Sequence, residues 1–250
     1  MIFVNNSRLV AYTEIMEKLI LSEKQSHCQY IAYAAGALAK AAEGQSTEIR
    51  FVSGRVELVL CGQEKEMAVL HKLAAEKIAE IICIGYKYEY FRSLIRPAGL
   101  CEEDREILLA AILAADFAED SRYVRTRLEG IGEHSLDGFY NFRLRNLQEK
   151  WKSIAACVPG YFTESQLTEF MEYLLGASKG KVFLRGSEVY DGRCRRLRRA
   201  TLIEDGKSEM GTLREIVLSG AGKVECLSAL SSRQEKFLRR YYAGRVAFFS

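Results

Sequence analysis

The residues of this 250-residue chain that could hold a metal, a phosphate or a nucleophile are its histidines, its cysteines and a few short glycine-bearing loops. The histidines are His27, His71 and His134, and none has a second ligand three or four residues away. A zinc site would need three or four ligands gathered from distant points, so these imidazoles read as surface or core residues. Seven cysteines (Cys28, Cys61, Cys83, Cys101, Cys157, Cys194, Cys226) are scattered with no CxxC pair. An odd, dispersed set reads as reduced thiols that pack as small hydrophobes, Cys61 and Cys83 above all. Gly176-Ala-Ser-Lys-Gly180-Lys181 superficially resembles a phosphate loop. It is one residue short between its glycines, has Val182 where a hydroxyl would hold magnesium, and precedes a strand. It reads better as a helix end followed by a turn. Gly130-Ile-Gly132 is too short for a dinucleotide fingerprint, and no G-x-S-x-G elbow occurs. The carboxylates Glu102, Glu103 and Asp104 suit the first turn of a helix, whose exposed amides favour negative charge. No catalytic residue, metal-ligand set or cofactor fingerprint emerges, and the chain reads as non-enzymatic and without a cofactor.

One charged feature stands apart. Arg193, Arg195, Arg196, Arg198 and Arg199 fall within seven positions. The net charge of +3 also hides an asymmetry. Residues 1–178 carry 20 Lys+Arg against 25 Asp+Glu, while residues 179–250 carry 16 against 8. On a strand, Arg193 and Arg195 would face one way and Arg196 and Arg198 the other. That pattern fits a solvated edge strand, where charge discourages aggregation. It also fits anion contact, on nucleic acid or an anionic surface, although only Tyr190 lies near enough for base stacking.

The elements that must position these residues follow from periodicity. Ile2–Asn5 reads as a strand, and Leu9, Tyr12, Met16 and Leu19 recur at helical spacing. A second helix is expected over 30–42, ending at Gly44, although its start (Tyr30, Ile31, Tyr33) also suits a strand. Thr47–Leu60 alternates around Ser53-Gly54, which predicts a hairpin with one apolar face. Met67, Leu70, Ala74, Ile78 and Ile81 form the stripe of a long helix ended by Pro97. Leu108, Ile112 and Ala115 mark the buried face of the next. Tyr140, Leu144, Leu147, Trp151 and Ile154 form a seam on one helix. Thr163 and Gln166 form a capping box for a helix carrying Leu167, Phe170, Met171, Leu174 and Leu175, with Gly176 at its end. Beyond it come a strand at 182–184, turns at Asp191-Gly192 and Asp205-Gly206, and a helix at 213–218. A strand at 224–227, a helix capped by Ser232 and Glu235, and a strand at 246–249 close the chain. A strand–helix–strand ending favours adjacent parallel strands. The fold class is α+β. A small N-terminal α/β layer with a hairpin spans 1–62, a helical middle 63–178, and a basic C-terminal α/β segment 179–250, with one shared core as an open arrangement.

Within the helical middle, Asp137-Gly138-Phe139-Tyr140-Asn141-Phe142-Arg143-Leu144-Arg145 opens a helix after a charged turn. This segment resembles the central motif of the YtxC-like sporulation proteins of endospore-forming bacteria. The likeness extends at the level of pattern to Ala75–Ile82, Leu213–Ser219 and Gly244–Phe248, so that it covers roughly residues 45–250. The arginine-rich stretch 193–199 departs from the acidic, glycine-turn hairpin expected there. The resemblance implies a sporulation-associated protein with no known reaction. Read physically, Phe139 and Phe142 share a helix face, and Asn141 and Arg143 flank it, either tying neighbouring backbone or lining a partner surface. The expected function is therefore a sporulation-associated protein acting through an unidentified protein partner, with nucleic-acid binding by the C-terminal arginines as the alternative. The N-terminus lacks a basic n-region and cleavage site, and no apolar run reaches the roughly 18–20 residues of a membrane span. A cytoplasmic location is expected. Oligomeric state stays open.

Overall fold

Alternation of Leu19, Leu21 and Glu23 with Lys18, Ile20 and Ser22 places the first three on one side of a strand, and that side is buried. A computed structural model describes residues 16–42, 46–129, 133–203 and 209–248. In it, β1 (Met16–Lys24) occupies the end of the segment whose spacing predicts a helix. Met16 and Leu19 are thus strand residues. Pairing with β3 (Arg55–Gln63) sets Leu19 against Leu60 and Leu21 against Leu58, and this tertiary ladder overrides the helical spacing. The expected strand at 2–5, together with Leu9 and Tyr12, lies outside the described residues.

The Ser53-Gly54 hairpin forms as expected, joining β2 (Ser46–Val52) to β3. Both turn residues take positive φ, 50° and 75°, as a two-residue turn of the primed type requires. Its apolar face is only half buried: Val56, Leu58 and Leu60 are in the core, but every residue of β2 is exposed. Beside β1 lies the short parallel strand β4 (Glu133–Ser135), giving the order β2-β3-β1-β4. Helix α1 (Cys28–Ala41) and helix α2 (Glu64–Glu80) cover the buried face.

The long middle helix is continuous but not uniform. After α2 comes one π-helical stretch, Ile81–Tyr86, and then α3 (Lys87–Leu94). Helix α4 (Glu102–Leu128) buries Leu108 and Ile112, while Ala115 is exposed. The seam from Tyr140 to Ile154 spans two helices rather than one. Helix α5 (Leu136–Arg143) stops at Leu144, whose φ/ψ of −115°/27° leaves the helical region, and α6 (Arg145–Cys157) begins again at once. Leu144, Leu147 and Trp151 are all buried, so the kink keeps the seam in the core. Helix α7 (Glu164–Gly176) carries the expected capping box: Gln166 N–H donates to Thr163 Oγ1 and Thr163 N–H to Gln166 Oε1.

The C-terminal segment forms a second sheet in the order β6-β5-β7-β8, from β5 (Lys181–Arg185), β6 (Glu188–Tyr190), β7 (Lys223–Cys226) and β8 (Val246–Phe248). Strands β5, β7 and β8 run parallel, as the strand–helix–strand ending predicts. Helix α8 (Glu209–Leu218) packs on α4. Helix α9 (Ser232–Tyr241) is capped one residue earlier than expected, by Ser231 with Gln234. Gln234 also donates to Gly186 O, and this tertiary bond selects between the two overlapping Ser-x-x-Gln/Glu boxes. The Gly176–Lys181 segment ends α7 and turns into β5, as read from its composition. Gly130–Gly132 and Asp205-Gly206 lie outside the described residues. Buried residues of all three regions form one contiguous hydrophobic core.

Candidate functional site

Three short pieces of chain meet at one cleft of about 260 Å³, lined by Lys24, His27, Tyr86, Glu89, Tyr90, Asp137, Tyr140 and Asn141. The end of β1 delivers Glu23 beneath it. The π-helical stretch turns Tyr86 toward β1, and π-bulges of this kind recur at functional sites. Gly85 is required there, because a Cβ would sit 2.6 Å from the Tyr30 ring. Helix α5 brings the Asp137–Arg143 motif to the opposite wall.

Glu23 is fully buried and bonded to the Tyr86 hydroxyl and, at 2.7 Å, to the backbone N–H of Lys24. Burial pushes its carboxyl above the usual range, against the opposing pull of the Tyr86 hydrogen bond. His27 lies 3.9 Å from Glu23 and 3.7 Å from Glu89. Tyr30 donates to Glu89 at 2.9 Å. Rings continue inward, with Tyr86 4.7 Å from Tyr140 and Tyr140 stacked 5.9 Å from Trp151. Burial raises the Tyr86 and Tyr30 phenols far above their ordinary values. They hold their protons at neutral pH and act as hydrogen-bond donors. Beneath the rings, Lys87 and Trp151 both bond Asp120 (2.7 and 2.9 Å), and Lys150 joins them at 2.9 Å.

The motif divides into two parts. Asp137 is gripped by Arg55 at 2.6 and 3.3 Å and accepts from Ser135 at 2.8 Å. The Arg55 guanidinium holds its carboxyl well below the usual range. Ser135 caps α5 at the N–H of Gly138, and Phe139 is buried. These three motif residues therefore fix α5 to the hairpin. The other half faces outward. Phe142 is 73% exposed instead of sharing a buried face with Phe139, because α5 ends one residue later and turns away. Asn141 and Arg143 are exposed and make no side-chain hydrogen bond to a described residue.

The C-terminal arginines are arranged differently from the edge strand expected of them. Asp191 accepts from the N–H groups of Arg193 and Arg195 (both 2.9 Å), and Cys194 takes a φ of 58°. The chain thus turns back on β6 before a strand can form. Arg195 pairs with Asp191 at 2.8 Å, Arg196 with Glu188 at 2.7 Å and Arg199 with Glu80 at 3.2 Å. Arg193 and Arg198 are exposed without an ion pair to a described residue.

Of the histidines, His71 lies 3.8 Å from Glu17, and His134 is buried, its pKa lowered to about 4 by desolvation. Among the described residues no group of three or more His, Cys, Asp or Glu is placed to hold a metal ion. No helix among them is long and apolar enough to cross a membrane. The sequence reading reached Asp137, Tyr140 and Asn141 of this cleft, set His27 aside as a surface or core imidazole, and missed Glu23, Tyr86, Glu89 and Tyr90. The one available signal was the aromatic run Tyr86-Lys-Tyr-Glu-Tyr90 following an apolar stretch. The chain matches no protein-family model, no curated protein and no solved structure.

Proposed function

We propose that this protein is a non-enzymatic, cytosolic, sporulation-associated binding protein that engages a protein partner through the outer half of its Asp137–Arg145 motif. The observation that carries this reading is the exposure of Phe142, Asn141 and Arg143 beside the ring-lined cleft. An exposed aromatic flanked by an arginine and an amide is the composition of an interface centre. The sporulation context rests on the resemblance of the motif to that of the YtxC-like proteins. The nucleic-acid alternative draws less support, because ion pairs occupy Arg195, Arg196 and Arg199.

The test is site-directed crosslinking from position 142 in a sporulating endospore-former, followed by binding measurements with the captured partner. Phe142→Ala should weaken binding at least tenfold and lower spore yield without moving the melting temperature. Binding and spore yield unaffected by Phe142→Ala and Arg143→Ala would rule the surface out. Retention of DNA or RNA with a steep salt dependence would favour the alternative.

A further inference from the structure

We propose that two copies of this chain pair edge to edge through β2, in antiparallel register centred on Ile49, joining their N-terminal sheets into one continuous sheet. Strand β2 is the outermost described strand of its sheet, and all seven of its residues are exposed. Three of them are large and apolar: Ile49 is 50% exposed, Phe51 70% and Val52 45%. A long exposed edge with apolar residues is a template for another strand.

The hydrogen-bonding parity of the hairpin decides which groups are free. Val52 and Arg55 close the two-residue turn, so Val52, Arg50, Glu48 and Ser46 bond inward to β3. Thr47, Ile49 and Phe51 therefore turn their N–H and C=O groups outward. Two antiparallel copies can bond only if these odd-numbered residues face one another, and the symmetry centres that then keep most of the strand paired are positions 48, 49 and 50. A centre at 48 sets Glu48 against Glu48, and a centre at 50 sets Arg50 against Arg50. A centre at Ile49 sets each Glu48 against Arg50 of the other copy and aligns the strand over its whole length. Opposite charges on facing residues stabilise a ladder and like charges destabilise it. In the single chain Glu48 and Arg50 already lie on one face, 2.6 Å apart. In the pair they form a four-charge cluster.

The other face gains as well. Ile49 and Phe51 lie opposite Leu58 and Val56, on the side that is buried in β3. They extend the core face beyond its helical cover. In the proposed pair, the Ile49 side chains meet at the two-fold axis and carry that apolar face from one core to the other. Charges on an edge strand ordinarily block association. Here their spacing instead selects one register of self-association.

Sedimentation or light scattering of the full chain tests this. The wild type should have twice the 28.3 kDa chain mass at roughly 100 μM. Glu48→Lys and Arg50→Glu should each be monomeric, with unchanged circular dichroism. An equimolar mixture of the two variants should recover a dimer, because each then faces its charge complement. A wild type that stays monomeric overturns the proposal. So does a dimer that both single variants retain, or a mixture of monomeric variants that does not associate.

Discussion

Glu215 gives the sharpest measurable consequence of how this chain buries charge. Its side chain is almost fully buried on α8, where Oε2 accepts from the Ala200 N–H at 2.6 Å and Oε1 has no hydrogen-bond partner among the described residues. A small cavity of about 70 Å³ lies against it. Desolvation raises its pKa from 4.5 to about 7, against the lowering effect of the Ala200 and Arg199 amides and the Arg199 charge. The folded state therefore binds a proton between these two values that the unfolded state has released. Stability contributed by this group is present below pH 4.5 and is lost as pH rises through 7. At about 1.4 kcal/mol per pH unit, the loss is about 3 kcal/mol at pH 8. Gln cannot ionise and keeps the acceptor for Ala200. Glu215→Gln should thus match the wild type near pH 4.5, apart from a constant offset, and exceed it by about 3 kcal/mol at pH 8. Urea unfolding of both proteins at several pH values measures the difference. A gap that does not change with pH would show that Glu215 ionises normally, and the desolvation argument would fail.

Two further substitutions probe the walls beneath the cleft. Asp120→Ala leaves the fully buried Lys87 ammonium without its 2.7 Å partner and should cost about 3–5 kcal/mol in chemical denaturation. Gly85→Ala would ordinarily stabilise a helix by about 1 kcal/mol. Here the added methyl meets the buried Tyr30 ring at 2.6 Å, so the melting temperature should fall instead.

How much of this could be read from the sequence depends on how local the signal was. The hairpin, the Thr163 capping box and the parallel ending were legible, because each is written in adjacent residues. The strand β1 was not, since Leu19 fits a helical stripe as well as it fits an alternating one. Pairing with β3 decided between them. The break at Leu144 was hidden for a similar reason: a 4-3-4-3 seam survives a kink that keeps the same side chains inward. The cleft was legible only where it overlaps the motif, at Asp137, Tyr140 and Asn141. Glu23 and Tyr86 are 63 residues apart, and nothing in either neighbourhood announces a buried carboxylate. Glu23 even occupies an inward position that alternation assigns to an apolar residue.

The charge asymmetry also has an intramolecular meaning that composition alone could not supply. The basic C-terminal segment and the acidic remainder are complementary surfaces of one core. Arg214 pairs with Glu106 at 2.7 Å, Arg240 with Asp104 at 3.0 Å, Arg233 with Glu103 at 2.9 Å and Arg199 with Glu80 at 3.2 Å. Two of the carboxylates at the start of α4 are therefore held by α9, beyond whatever they gain from the helix dipole. Arg214 and Glu106 are both buried, and Tyr88 adds its hydroxyl at 2.9 Å. Removing one member of such a pair strands the other in a medium that cannot solvate it. Three arginines of the basic segment, Arg214, Arg233 and Arg240, thus fasten α8 and α9 to α4, while Arg195, Arg196 and Arg199 of the 193–199 cluster are held by Asp191, Glu188 and Glu80. The surfaces of the two proposals, the outward half of the α5 motif and the exposed edge of β2, lie outside these pairings, and Arg193 and Arg198 stay exposed without an ion pair to a described residue.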